Sequence, residues 1–386
     1  MKKIVALSLS LLMLLSVAGC AKEAPKATEG DSASSDAIVV GVVAPLSGGA
    51  AMVGDTLVKG VDLAVKEINA AGGINGRPIK IVKEDDEQNP AKSVSAMNKL
   101  VHSDKVSAVI GTVNSSCTMA NMEVTRAAGI PQVTPIASGP AITNSGNDFI
   151  VRVQASDLLM AEAIANYVSK DLGLKKIAIM YQSDDYGTGG KDVAEKVLKD
   201  AGITPVAIEA FDPNATDMNS QLLNVKKADA ECIIMWTMYQ QGALIAKQAR
   251  QMGMDKTLLV GGGGLTNAKL YELAGDAAVG ILNTQTFFPD KTRASETAAK
   301  FIDAYEKEYG KLPDSNAAMS YDSMMVLAEG LKASPKLDGK EIVAGMKAIK
   351  DMPLATGNIT IDEKGDANRE ILIIELAEGG KYELVK

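Results

Sequence analysis

Histidine is nearly absent from this chain of 386 residues: His102 stands alone. One imidazole excludes every multi-histidine metal centre, and any Ser-His or Cys-His nucleophile array would have to be built on that single residue. Basic charge is not in excess, since 40 Lys and Arg face 48 Asp and Glu for a formal net charge of −8. Loss of Lys2 and Lys3 with an N-terminal leader would take this to −10, so a nucleic-acid or anionic-membrane surface is disfavoured as the main role. A membrane-crossing run is missing too. The apolar stretch Ile4 to Leu15 is about half the roughly 20 residues a helix needs to span a bilayer, and it reads as the core of a secretory leader.

Nucleotide motifs also fail. Gly187-Thr188-Gly189-Gly190 would need a further glycine where Asp192 stands, and Gly261 to Gly264 fails in the same way at Thr266. The four Gly-Lys pairs are followed by Asp192, Leu312, Glu341 and Tyr382, never by the Ser or Thr of a phosphate-binding loop. Glu84-Asp85-Asp86-Glu87, followed by Asn89-Pro90, reads as a solvated turn leading into a helix N-terminus rather than as a cation site. No cofactor or metal is expected.

What is present begins with an address. Val17-Ala18-Gly19-Cys20 resembles the lipobox of bacterial lipoproteins, in which the leader (1–19 here) is cut off and the cysteine carries the lipid. Residues 20–36, rich in Ala, Lys, Thr, Ser and Glu, read as a flexible tether to a folded part that starts near Ala37 outside the cytoplasm. With Cys20 lipidated, Cys117 and Cys232 remain, and both are expected to be free, buried and inert.

At 46% apolar and 23% charged residues, the chain can build two ordinary cores. Continuous apolar runs alternate with amphipathic ones, the pattern of strands buried on both faces and linked by helices: an α/β chain. Strands are predicted from Ile38 to Val43 and over 79–82, 106–110, 132–134, 177–181, 205–209, 232–236 and 258–260. Helices are predicted at 91–102, 116–128, 158–171, 190–201, 217–228 and 242–252, and after Gly280 at 295–309, 316–332 and 339–350, with strands to follow. A strand, a Ser/Gly-rich turn, a helix and Ala71-Gly72 are echoed by strand 177–181, an Asp/Tyr/Gly turn, a helix and Ala201-Gly202. Two similarly wound lobes follow. Their strands offer small hydroxyl residues at the C-terminal ends, where such sheets bind ligands. Thr112 to Ser116 and Thr134 to Pro140 together form a cradle for a carboxylate or phosphate.

Val40 to Gly48, Glu67 to Arg77 and Glu84-Asp85-Asp86 resemble the opening of the leucine/isoleucine/valine-binding proteins, solute receptors of ATP-driven importers. The resemblance continues through Val109-Ile110-Gly111, Ser115-Ser116, Asp185-Tyr186-Gly187, Gln248-Ala249-Arg250, Leu273 to Ala278 and Asp362 to Asp366. It implies the type I periplasmic binding protein fold: two doubly wound parallel-sheet lobes joined by a three-crossover hinge. One lobe would comprise 37–157 with 287–369, and the other 158–286 with 370–386. It further implies that Ser115, the Ile136 backbone and Ser138 hold a ligand carboxylate, that Tyr186 forms a wall, and that Asp157 stands near the amino group. Three departures stand out. Gly263 replaces the acid that pairs with the ligand ammonium, Met238 followed by Tyr239 replaces a wall aromatic, and Val53 replaces another. Gln88 and Asn114 occupy the places of a cysteine pair. The expectation is a monomeric, lipid-anchored receptor, not an enzyme. It would close on a small amino acid, branched-chain or otherwise aliphatic, and deliver it to a membrane permease. A non-amino carboxylate or amide as ligand, or a sensing role, is the alternative.

Overall fold

The computed structural model describes residues 37–386. The leader, Cys20 and the tether lie outside the described residues. Strand β1 (Ile38–Ala44) is buried nearly throughout, as its run of Val and Ile, broken by Gly41 and ending in Ala44, requires. Helix α1 (Ala51–Ala70) buries Val53, Leu57, Val61, Ala64 and Ile68 along one face, the spacing of an amphipathic helix. There follow β2 (Ile79–Asp85), α2 (Pro90–Asn98), β3 (Ala108–Ile110), α3 (Ser115–Ala128), β4 (Gln132–Thr134), the single turn α4 (Ala141–Asn144) and β5 (Ile150–Arg152). These strands form one parallel sheet in the order β2-β1-β3-β4-β5.

The chain then leaves that sheet. Next come α5 (Asp157–Asn166), β6 (Ile177–Gln182), α6 (Asp185–Asp200), β7 (Ala207–Phe211), α7 (Asn219–Lys227), β8 (Cys232–Trp236), α8 (Tyr239–Gln251), β9 (Leu258–Gly261), α9 (Ala268–Ala274) and β10 (Leu282–Gln285). The order β7-β6-β8-β9-β10 repeats that of the first sheet, again parallel. Helices α10 (Glu296–Tyr309), α11 (Ser315–Ala333) and α12 (Gly339–Lys347) return to the first sheet. There α11 lies so close to α1 that a Cβ on Gly60 would fall 2.2 Å from the Ala317 carbonyl oxygen. A small hairpin, β11 (Met352–Leu354) and β12 (Gly357–Ile359), precedes β13 (Leu372–Leu376), which adds antiparallel to β10, with β14 (Tyr382–Leu384) at the edge. Two similarly wound lobes, expected from the internal repeat, are therefore present. Cys117 and Cys232 are free and buried, and burial pushes both thiols up, away from reactivity.

The differences from the sequence reading have local causes. β5 (Ile-Val-Arg) and β10 (Leu-Asn-Thr-Gln) were not anticipated, because a buried charge or amides interrupt the apolar run that marks a central strand. Helix α6 begins at Asp185 rather than at 190, since the Asp184 carboxylate accepts from the Gly187 N–H and caps it ahead of the glycines. Strand β7 lies two residues later than expected; as an edge strand it alternates more and less exposed residues.

Two buried arginines stitch the crossings together. Arg152, at 0% exposure, donates to the Ser138 carbonyl (2.8 Å), the Gly139 carbonyl (2.6 Å), the Thr143 hydroxyl (3.0 Å) and Asp366 (2.8 Å). Arg369 donates to the Val153 carbonyl (2.9 Å) and the Thr356 hydroxyl, and lies 3.9 Å from Asp322. Asp322 accepts in turn from the N–H groups of Ala355 (2.9 Å) and Thr356 (3.1 Å). Burial lowers the Arg369 guanidinium to about 10 while Asp322 holds it up. Asp322→Ala would leave that cation and two amides unpaired inside the protein. It is expected to cost about 3–5 kcal/mol, read as a lower urea midpoint at unchanged slope. A loss below about 1 kcal/mol would show that the network is not needed for stability.

Candidate ligand-binding site

The loops that follow the strands of both sheets line one narrow cleft, about 530 Å³ with its mouth and open solvent included. In each sheet one strand, β1 or β6, sits between its two sequence successors. The loops diverging at that switch point leave a crevice at the strand ends. The first lobe contributes Val53, Val113, Asn114, Ser115, Ile136 and Ser138, and α11 adds Asn316. Asn114 caps α3, its side chain accepting from the N–H groups of Ser116 (2.9 Å) and Cys117 (3.3 Å). Ser115 stands at the first helical position, and its hydroxyl oxygen accepts from the Gly139 N–H (3.1 Å). That arrangement leaves its proton free to donate. The Ser138 loop is held from behind by Arg152 and by the Asp157 N–H, which donates to the Ser138 carbonyl (2.9 Å). A helix N-terminus, a free hydroxyl proton and a buried guanidinium behind the loop together favour an anion.

The second lobe supplies Tyr186, Met238, Tyr239, Gly263, Gly264 and Thr266. The Tyr186 hydroxyl accepts from the Gly264 N–H (3.2 Å), and its ring leans on Trp236 at 6.2 Å between centroids. Trp236 also explains one glycine in each of the runs that are not nucleotide loops. A Cβ on Gly190 would lie 2.0 Å from the indole nitrogen, and one on Gly262 2.7 Å from the ring. Gly263 differs, because its nearest neighbour would be the Gln285 amide nitrogen at 3.2 Å. It is therefore the roomiest position of that run. The lobes also meet directly: the Tyr239 hydroxyl (3.0 Å) and the Gln240 amide (3.1 Å) both donate to the Gly49 carbonyl, and the Asp185 N–H donates to the Ser116 hydroxyl (3.3 Å).

Of the residues singled out in the sequence, Ser115, Ile136, Ser138, Tyr186, Met238, Tyr239 and Gly263 come together as lining. Asp157 does not. It is the first residue of α5, fully buried behind the Ser138 loop, and neither carboxylate oxygen has a hydrogen-bond partner of good geometry among the described residues. Burial pushes its carboxyl up to about 7, with the neighbouring Ser138 hydroxyl, Arg152 and Trp236 pulling the other way. Asp184 is also away from the lining, engaged by the Gly187 N–H (2.9 Å) and the Gln182 amide (2.7 Å). The lining thus carries hydroxyls, amides and apolar groups, and no charged side chain. The sequence reading missed Gln154, Met160, Thr266 and Asn316. Gln154 follows a strand that Arg152 disguised. Asn316 reaches the cleft from a helix 200 residues downstream of Ser115, numbered in the same chain, and no local signal marks it.

A sequence model of the periplasmic binding protein family matches residues 37–381. The Leu/Ile/Val-binding protein BraC3 of Rhizobium johnstonii is 31% identical over 89% of this chain and 92% of its own length. The branched-chain amino acid transporter substrate-binding protein LivJ of Streptococcus pneumoniae, solved with isoleucine, superposes with a TM-score of 0.82 at 31% identity, covering 91% of this chain and 99% of its own. A solute-binding protein of an ABC transporter from Rhodopseudomonas palustris, solved with 3,4-dihydroxybenzoic acid, gives 0.80 at 25% identity over 90% and 96%.

Asp157 makes a prediction about pH. Folded, the carboxyl keeps a proton that the unfolded chain releases near 3.8. Its contribution to stability is therefore greatest below the unfolded value and is lost as pH rises through about 7. Asp157→Asn removes that dependence. In denaturant titrations the unfolding free energy of the variant relative to the parent should rise by about 1.4 kcal/mol per pH unit between about pH 5 and 6. Parallel pH profiles would contradict the assignment.

Proposed function

The chain belongs to the periplasmic binding protein family, and we propose that within it this protein is the extracytoplasmic solute-binding lipoprotein of an ABC importer. It captures a small amino acid, branched-chain or otherwise aliphatic, by closure of its lobes, and passes it to the permease. The observation that carries this reading is the pairing of an anion cradle at Ser115 and Ser138 with an aliphatic wall of Val53, Val113, Ile136, Met160 and Met238. Closure needs no bond chemistry. Contacts to both lobes bias a hinge equilibrium toward the closed form, and the relatives supporting this reading are solute-binding proteins.

The second reading keeps the scaffold and changes the ligand. A lining without a carboxylate offers an ammonium only neutral oxygens, and burying an ion without a charged partner costs several kcal/mol. A small carboxylate with an uncharged tail avoids that cost. The two readings separate in calorimetric titrations of leucine, isoleucine and valine beside 4-methylpentanoate, the deaminated counterpart of leucine. The amino-acid reading expects saturable binding of the amino acids, weakened by roughly 1–3 kcal/mol in Ser115→Ala. Binding of 4-methylpentanoate alone would overturn it, and Gly263→Glu should then restore leucine binding by supplying the missing charge.

Lipidation is tested independently of the ligand. Cys20→Ser is expected to abolish lipid attachment, releasing a soluble form or leaving an unprocessed precursor that still binds its ligand. An unmodified Cys20 in the mature protein, found by mass spectrometry, would refute the anchor.

A further inference from the structure

Gln154 lines the ligand cleft without belonging to its anion cradle. It stands just beyond β5, on the first passage of the chain between the sheets, and is 6% exposed. Its side-chain oxygen accepts from the Ala155 N–H (2.9 Å) and from the Thr286 hydroxyl (3.3 Å). A main-chain N–H can only donate, so this pairing fixes which branch of the carboxamide carries the oxygen. The nitrogen on the other branch has no hydrogen-bond partner among the described residues, and it is not one of the side-chain atoms closed to solvent. A residue buried to this degree meets open space in the cleft it lines, so its two N–H bonds are directed there.

The second passage of the chain shows which end of the cleft this is. Thr286 holds the Gln154 oxygen, and its neighbour Gln285 donates to the Gly263 carbonyl (3.2 Å) and to the Thr266 hydroxyl (2.6 Å). Gln154, Gly263 and Thr266 therefore border one end of the cleft, toward the second lobe, whereas Ser115 and Ser138 stand on the first. The Thr266 hydroxyl accepts from Gln285, which leaves its proton free to donate. No carboxylate is at hand, since both oxygens of Asp157 are closed off behind the Ser138 loop. This end offers donors; an ammonium brings only donors to meet them, and an oxygen brings lone pairs. We propose that Gln154 is a specificity-determining residue that donates to an oxygen the solute carries beside its carboxylate, so that a 2-hydroxy acid is held more tightly than the amino acid or the unsubstituted acid of the same skeleton. The inference rests on the small-carboxylate site common to both readings above, and it adds the group that discriminates among such solutes.

The probes are 2-hydroxy-4-methylpentanoate, leucine and 4-methylpentanoate, titrated calorimetrically into the full chain and into two variants. In the parent the hydroxy acid is expected to bind about fivefold or more tighter than either of the others. Gln154→Leu removes the donors and should bring the hydroxy acid down to the level of 4-methylpentanoate. Gln154→Glu keeps an oxygen for Ala155 and Thr286 and replaces the N–H bonds with a charged acceptor. It should therefore weaken the hydroxy acid and strengthen leucine, an exchange that misfolding cannot produce. A hydroxy acid bound no more tightly than leucine or 4-methylpentanoate in the parent would overturn the inference and leave the amino-acid reading standing. So would an advantage that survives Gln154→Leu because both acids weaken together, which would place the amide in the carboxylate cradle. Binding of none of the three would overturn the small-carboxylate reading itself, and the inference with it.

Discussion

Arg152 holds a full positive charge where no solvent reaches it, and the ligand cleft is arranged around how that charge is satisfied. A guanidinium offers five donors in a fixed plane, so its partners must come to it. They come from three directions: the carbonyls of Ser138 and Gly139, the Thr143 hydroxyl, and Asp366 from the last passage of the chain between the sheets. The loop that presents Ser138 is thereby fixed to the end of β5 and to a segment more than 200 residues away. Ser115 is fixed to the same loop through the Gly139 N–H. The anion cradle is rigid because a buried cation would be costly in any other arrangement.

On the opposite wall, shape is set by Trp236 rather than by charge. Glycines approach its ring from two directions, and the ring in turn supports Tyr186. The second lobe therefore presents a neutral surface to the cleft, with Gly263 the least crowded glycine of its loop. The groups that favour a negative charge are thus concentrated on the first lobe, while the second offers neutral side chains and glycines. Such a division suits a ligand that is charged at one end and apolar at the other, since apolar contact discriminates by size while hydrogen bonds fix orientation.

Legibility in the sequence followed composition closely. Strands without a polar side chain, such as β1 and β8, were readable because burial on both faces leaves no polar position. β5 and β10 were not, because Arg152 and the amides of Asn283 and Gln285 are inside for reasons that lie in distant segments. The same holds within the site. Ser115 and Ser138 were legible as hydroxyls at strand ends. Asn316 and Thr266 reach the cleft only through tertiary packing. Gly263 was visible as a departure from a family pattern, but the reason Gly262 beside it must be glycine lies in an indole on another strand. Asp157 was legible as an acid at a crossing, and its withdrawal behind the loop was not, because burial of a helix's first residue depends on what packs over it.

The contact between the lobes is built unequally. On one side both hydrogen bonds end on the carbonyl of Gly49, a main-chain group, and on the other they start from the side chains of Tyr239 and Gln240. A main-chain acceptor survives any substitution that keeps the turn, so these two bonds tolerate mutational drift in the first lobe, whereas the third, from the Asp185 N–H, needs the Ser116 hydroxyl. Changes at two second-lobe positions alter the first two directly. On the proposed function, the residence time of a bound solute is thus adjustable from the second lobe without touching Ser115 or Ser138.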